Sequence, residues 1–447
     1  MERKGPLMKE RTVETAVASL QWFIFLLANS IVLPIVVGQV YHLSVDQIAE
    51  LLQRTFLVVG ISSLLSGWIG HRLPIADGPA GIWLGIFVLM GEMAAAGHSH
   101  PFQVLQLLEG GMLVAGGVLL VIGAMGLMNY MLELFTPLVT GVYLILLSLQ
   151  LSGVFLKGMI GVGDSGGEIK AGHVLVSFIV FILVFILSVW GRGFFKSYAV
   201  LIGILLGWLT FIMLNGFEQK APAVSSVVSF PKFFAWGWPK LDAGMAVSAV
   251  LVAFVLISNI IASVAAMQQV VDRQEESGRL NRAGIISGVN NLLSSLFSSV
   301  GVVPLSISAG FVRMTGQSRM KPYMIGCVLL IVSSFLPAVY QALALLPGPI
   351  AYAAMLVTFT QMLGIGLNSI LKSPLDERRL TIVGMSLSLG TAIMFLPQSV
   401  FQGLPAIVQY VVSNGIMIGM LLALLLEHIW RPEGKQFSRK EKKPFFR

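Results

Sequence analysis

Long apolar runs recur from one end of this chain to the other, and they restrict its fold more than any other feature. The runs from Leu175 to Trp190 and from Met417 to Leu426, extended by small residues, approach the roughly 20 residues that cross a bilayer as a helix. Only 11% of the 447 residues are charged, against about 25% in ordinary globular domains. Because so few charges cannot cover a water-facing surface, a soluble protein is excluded and most of the surface must face lipid.

Apolarity, segment length and the positions of Gly, Pro and charged residues predict an all-α polytopic membrane protein with about fourteen spans. The predicted spans are 16–38, 48–68, 74–95, 107–128, 132–153, 172–190, 197–214, 244–266, 280–298, 300–317, 322–338, 346–369, 379–396 and 408–428.

The distribution of basic residues predicts the orientation of these spans. With fourteen spans, both termini lie on the same side, and 23 of the 29 Lys and Arg residues fall on that side. Positive charge is retained on the cytoplasmic face, so we expect a cell-membrane protein with both termini in the cytoplasm. The basic residues are scattered through short connectors and two tails, which does not indicate a nucleic-acid partner.

The longest connector, 215–243, is rich in aromatic residues and divides the chain into 1–214 and 244–428, followed by a basic tail at 429–447. Each half has seven predicted spans. Two halves with an odd number of spans have opposite topology, which is typical of inverted-repeat transporters.

A weak internal similarity supports this duplication. A single constant shift of the sequence places Asn29 on Asn259 and Pro74 on Pro304, which aligns the first and third spans of the two halves without a gap.

The third span of each half is interrupted. The segments 73–81 and 302–310 combine proline with small polar residues inside apolar stretches. Proline removes a helix donor, so we expect short extended segments in spans 3 and 10, each followed by a half-helix. Unpaired backbone at membrane depth is tolerated where it lines a protein cavity, and paired broken spans indicate a transporter's binding site.

Several motifs resemble those of the nucleobase/ascorbate transporters, the family of bacterial xanthine and uracil permeases. They are Leu20-Gln21-Trp22 with Val32 to Gly38, GISSLLSGWIGHRLPIADGP from Gly60, FTPLVTGVYLILLSLQLSG from Phe135, KSYAVLIGILLGW from Lys196, and Arg378 to Gly384. The resemblance covers nearly the whole chain. It implies fourteen spans in two inverted seven-span repeats, arranged as a core domain and a gate domain.

The resemblance is weakest at the positions where the family binds its substrate. The eighth-span Glu of many members corresponds to Asn259, and two histidines of some members correspond to Trp22 and Ser263. An amide both donates and accepts hydrogen bonds, so Asn259 can still pair with the edge of a planar base. The expected binding residues are Asn259, Asn29, Ser306, Ser308, Ala309, Gly310 and Ala80.

Asp77 is the candidate for ion coupling, because it is the carboxylate placed within a broken span. Its alternative role is structural, accepting backbone N–H groups near Gly78 and Gly81. Glu92, Glu109 and Glu133 are expected near span ends, at the membrane interface. Trp190, Trp236 and Trp238 are expected in the interfacial aromatic belt.

The sequence therefore predicts a secondary active transporter, not an enzyme, that carries a purine such as xanthine or a pyrimidine such as uracil by alternating access. Proton or sodium symport is expected, and a homodimer remains open. No nucleotide-binding loop, metal-ligand set or nucleophile constellation is recognised, so no cofactor or metal is expected. Two alternatives stay open, an anion transporter or channel of the same architecture and a membrane sensor that does not transport. An anion transporter should place a basic residue at the half-helices, where Arg313 is the candidate.

Overall fold

The structure of the protein is a computed structural model. It describes the whole chain except residues 1–3, 98–99, 162–170, 216–225, 272–275, 277, 373, 402, 405 and 431–447. The described chain is mostly helical, with two short strands.

The first half contains nine helices and one strand within its described residues. They are α1 (Lys4–Val40), α2 (Val45–Trp68), β1 (Asp77–Pro79), α3 (Gly81–Gly97), α4 (Pro101–Ala124), α5 (Met128–Leu134), α6 (Pro137–Ile160), α7 (Ala171–Trp190), α8 (Phe194–Ser197) and α9 (Ala199–Asn215).

The second half contains nine α-helices, one strand and a short 3₁₀-helix within its described residues. They are α10 (Ala243–Val271), α11 (Arg279–Leu296), β2 (Val302–Pro304), α12 (Ile307–Thr315), α13 (Met320–Ser334), α14 (Pro337–Ala344), α15 (Gly348–Ile370), α16 (Glu377–Met394), the 3₁₀-helix Gln398–Phe401, α17 (Ala406–Val412) and α18 (Gly415–Ile429).

These helices make the protein a multi-pass membrane protein. Seven described helices are long and apolar enough to cross a bilayer, and the α13–α14 pair, bent by 80°, adds an eighth if it is one span. Each predicted span contains at least one described helix. The total of fourteen spans stays a prediction, because several of these helices are short or polar.

The two halves interlock. The two most extensive helix contacts pair α6 with α15 and α4 with α11, and they join the first half to the second, as does the contact of α2 with α13. Small residues permit the close approach of α2 and α13. A Cβ on Gly60 would lie 2.6 Å from Ile331, and one on Gly67 would lie 2.6 Å from Tyr323. Inside a bilayer the hydrophobic effect does not drive helices together, so they associate through close packing of this kind.

Strands β1 and β2 pair with each other in the interior. They are antiparallel, with Asp77 opposite Pro304 and Pro79 opposite Val302. Every residue of both strands is buried. The strands lie within segments 73–81 and 302–310, and α3 and α12 follow them in the chain.

The strand positions correct the internal alignment of the two halves. The gap-free shift places Pro74 on Pro304. In the structure, however, Pro304 ends β2 as Pro79 ends β1, and Pro74 precedes its strand. The gap-free alignment is therefore wrong in the third span. With Asn29 kept on Asn259, the stretch from the first span to the strand is longer in the first half than in the second.

Candidate functional site

A cavity of about 260 Å³ lies where α1 and α12 face the helices α7, α8, α9 and α15. Its lining residues are Phe25, Ala28, Asn29, Ser188, Lys196, Tyr198, Ala199, Val200, Leu201, Ile307, Gly310, Phe311, Met314, Thr358 and Gln361. This volume is close to the lower end of the roughly 300–1,000 Å³ that is typical of small-molecule pockets.

One face of α12 forms a wall of this cavity. Ile307, Gly310 and Met314 recur at the three- and four-residue spacing that places side chains on the same side of a helix. All three are exposed. A Cβ built on Gly310 would meet no atom within 4 Å, so the glycine leaves open space that a larger side chain would fill.

Aromatic rings form a second wall. Phe25 of α1 and Phe311 of α12 stack with ring centroids 4.5 Å apart. Tyr198 contacts Phe311 edge-on at 6.2 Å, and its hydroxyl donates a hydrogen bond to the carbonyl of Gln21. Phe25 and Phe311 are almost fully buried, at 4% and 1% exposure, so they bound the cavity as an apolar wall.

The polar groups of the cavity come mainly from α1 and α15. The Asn29 amide nitrogen donates to the carbonyl of Phe25 at 2.7 Å. That bond uses only part of the amide's hydrogen-bonding capacity. Gln361 is exposed on α15, and Thr358 lies one turn before it with its hydroxyl bonded to Ala354.

Asn29 and Gly310 are the expected binding residues that line this cavity. The others occupy positions around it. Asn259 is half-buried on α10, one turn before Ser263. The Ser263 hydroxyl donates to the carbonyl of Pro304 at 2.7 Å and lies 2.8 Å from the hydroxyl of Ser306. The segment containing Asn259 therefore packs against the end of β2 and the start of α12.

Ala80 and Ser308 make hydrogen bonds next to the paired strands. The backbone N–H of Ala80 donates to Gly301, and the Ser308 hydroxyl accepts from the backbone N–H of Ala76 at 3.1 Å. Ala309 is buried beside them. These contacts hold the half-helices α3 and α12 at the strand ends.

Asp77 lies in β1, almost fully buried. No backbone N–H of the described residues donates a hydrogen bond to either carboxylate oxygen. Its backbone N–H donates to the Ser63 hydroxyl at 2.9 Å. The structural alternative, in which the carboxylate accepts backbone N–H groups near Gly78 and Gly81, is therefore wrong.

Two interfacial expectations are also wrong. Glu109 is fully buried on α4, where its carboxylate accepts a hydrogen bond from the Ser298 hydroxyl. Trp236 is buried against Phe87 and lies 5.8 Å from the Arg54 guanidinium. Position near a span end suggested exposure, but the connector packs against α4, where the Gln106 amide donates to the carbonyl of Trp236 and the Lys240 N–H donates to the carbonyl of Gln106. The side chains of Glu92 and Glu133 lie outside the described residues.

Sequence reasoning missed Gln361 and Thr358 as candidates. Both lie in a long apolar segment whose polar residues, taken singly, are typical of helix-to-helix contacts. The available signal was their three-residue spacing, which places them on one face of α15. Which face meets the cavity is decided by packing.

Comparison with known proteins identifies the family. A model described as a permease family matches residues 13–399. The "Putative purine permease YwdJ" of Bacillus subtilis (strain 168) is 31% identical, covering 94% of this chain and 97% of that protein. The chain belongs to the nucleobase permease family. The resemblance found in the sequence motifs is thus confirmed, as is the conclusion that this is a transporter-family protein and not an enzyme.

More distant relatives agree with this membership. The uric acid permease PucK of the same organism is 24% identical over 94% of this chain and 96% of its own length. The transmembrane domain of a cyanobacterial bicarbonate transporter, BicA, superposes on this chain with a TM-score of 0.62 at 12% sequence identity. The superposition covers 92% of this chain and 97% of that domain. At that identity, the likeness shows the fold alone.

Proposed function

We propose that the protein is a secondary active transporter that carries a nucleobase across the cell membrane by alternating access. The observation that supports this most directly is the cavity beside the half-helix α12, with its stacked Phe25 and Phe311 and its amide side chains. The names of its relatives favour a purine such as xanthine over a pyrimidine such as uracil.

The base lies flat against the aromatic wall and pairs its edge with the Asn29 and Gln361 amides. Ile307 and Gly310 of α12 bound the cavity on the core side. A movement of α3 and α12 relative to α7, α8, α9 and α15 completes the site. The residues added in that state are Asn259, Ser306, Ser308, Ala309 and Ala80. Binding between two groups of helices is the arrangement that alternating access requires.

Proton or sodium symport is proposed to run through Asp77. A carboxylate that is almost fully buried and has no backbone N–H donor among the described residues is costly to hold in ionised form, and binding of a cation relieves that cost. Its backbone pairs with β2, whose end leads directly into the cavity-lining helix α12, so ion binding at Asp77 can influence the binding site.

The proposed architecture has fourteen spans in two inverted repeats, 1–214 and 244–428, joined by the connector 215–243. Both termini, including the tail 429–447, lie in the cytoplasm. The exposed apolar face of α7 meets lipid or a second copy in a homodimer.

Transport and binding assays of the purified protein test this function. Reconstituted wild-type protein should take up labelled purines from a panel of bases. Gln361→Ala should weaken binding by roughly 5- to 150-fold, the equivalent of losing one buried hydrogen-bond partner worth about 1–3 kcal/mol. Asn368→Ala, on the same helix but outside the cavity lining, is the matched control. Equal affinities for the two variants would remove Gln361 from the site.

Gly310→Leu separates loss of the cavity from loss of the fold. The leucine side chain enters open space, so folding should survive while purine binding is abolished. Asn259→Ala should lose affinity in the same range as Gln361→Ala if Asn259 completes the site. A protein that binds purines yet moves none into vesicles would be the sensor.

Inorganic anion transport is the remaining alternative. Arg313, the basic residue expected at the half-helix for this alternative, lies on α12 but is not among the residues that line the cavity, whose basic residue is Lys196 of α8. Uptake of bicarbonate or chloride, with no uptake or binding of any base, would replace the nucleobase proposal by this one.

A further inference from the structure

The charge of the cavity lining is positive. Among the described lining residues, Lys196 alone carries a charge, and no Asp or Glu accompanies it. Lys196 lies on the short helix α8, between α7 and α9, with an exposed side chain. Within the described part of the chain, it forms no salt bridge.

The remaining polar groups of the lining are neutral. Asn29, Thr358 and Gln361 provide amides and a hydroxyl. Asn259, on the helix α10 that packs against α12, is also neutral. A cavity with low-dielectric walls and charge of a single sign concentrates ligands of the opposite sign. An ammonium without a counter-charge in such a cavity is stabilised when a bound anion supplies one.

We propose that the cavity binds its purine as a monoanion, with the Lys196 ammonium supplying the counter-charge. The substrate class is then the acidic, oxidised purines, and Lys196 determines specificity for them over neutral purines. This inference rests on the proposed function of purine transport.

Two bicyclic purines of similar size separate charge from shape. Urate is a monoanion at neutral pH, whereas hypoxanthine is neutral. Both present a flat ring system to the Phe25–Phe311 wall and a polar edge to the amides of Asn29 and Gln361. A difference in binding that depends on Lys196 therefore reports the charge of the ligand.

The test is equilibrium binding of urate and of hypoxanthine to the purified full-length protein at neutral pH. Lys196→Gln and Lys196→Met remove the charge, Lys196→Arg retains it, and Lys372→Gln is a control at an exposed lysine outside the cavity lining. We expect both neutral variants to weaken urate binding by about fivefold and to leave hypoxanthine binding unchanged. Lys196→Arg and Lys372→Gln should bind both purines as the wild type does.

Each other outcome is decisive. Unchanged urate affinity in both neutral variants, or an equal loss for urate and hypoxanthine, would overturn the role of Lys196 while leaving purine transport in place. Loss of urate binding in Lys196→Arg as well would show that the ammonium is not acting as a charge. If the wild-type protein binds neither purine, the proposed function itself fails. Melting temperatures equal to that of the wild type establish that the variants are folded.

Discussion

Asp77 shows how far the chemistry of a single residue can be predicted. The sequence singles it out as a carboxylate in a broken span, and the structure buries it in β1, where no backbone N–H of the described residues donates to its carboxylate. The absence of backbone donors follows from the strand pairing. The N–H groups of β1 and of the residues beside it point to β2, to Ser63 and to Ser308 instead.

We expect Asp77→Asn to abolish accumulation of purine against a gradient while leaving exchange of purine between the two sides of the membrane. The amide cannot exchange a proton or attract a cation as a carboxylate does, whereas exchange requires alternating access alone. Uptake and counterflow in proteoliposomes measure the two activities. Asp46→Asn, at an exposed position near the start of α2, is the control. Concentrative uptake by Asp77→Asn would assign coupling to another group, such as the buried Glu109.

At the scale of secondary-structure elements, a buried asparagine joins three pieces of the broken spans. The Asn291 amide nitrogen donates to Val302 of β2 and to Ser287 within α11. Its oxygen accepts a hydrogen bond from the indole N–H of Trp83 on α3 at 3.0 Å. One side chain thus fixes the strand and the opposite half-helix to α11, which explains why backbone without helical bonds is tolerated here.

Asn291→Ala should lower the melting temperature of the purified protein, because it leaves the Val302 carbonyl and the Trp83 indole buried without this partner. Each such group costs about 1–3 kcal/mol. Asn281→Ala is the matched control. It lies on the same helix, and the Asn281 side-chain oxygen accepts no hydrogen bond from a described residue. Thermal unfolding followed by tryptophan fluorescence measures the difference. Equal melting temperatures for the two variants would contradict the joining role.

For the whole molecule, the distribution of basic residues predicts the orientation, and the two halves depend on each other through packing. Pairs such as α6 with α15 and α4 with α11 cross between the halves, so neither half has a complete interior of its own. The predicted orientation depends on the basic residues of the connectors and not on contacts between the helices.

A reporter fused after Arg447 should lie in the cytoplasm, and one inserted near Ala223 should lie on the opposite side. An alkaline phosphatase and green fluorescent protein pair measures both positions, because each reporter is active on only one side of the membrane. If both sites report the same side, an odd number of spans cannot separate the connector from the C-terminus. The division into two seven-span halves would then be wrong.

The sequence by itself determined the membrane environment and the family, and it predicted the interruptions at 73–81 and 302–310 and the candidate role of Asp77. These depend on local properties, namely hydropathy, proline geometry and short motifs, which are present in any window of the chain. Tertiary structure alone decided that Gln361 and Lys196 meet Asn29 across a cavity, that Glu109 and Trp236 are buried, and that β1 pairs with β2 in the register that sets Asp77 opposite Pro304. Such relations join residues that are far apart in the sequence and depend on which helix faces pack together. The hydropathy of a segment measures how apolar that segment is, but it does not show which other segment the first one contacts.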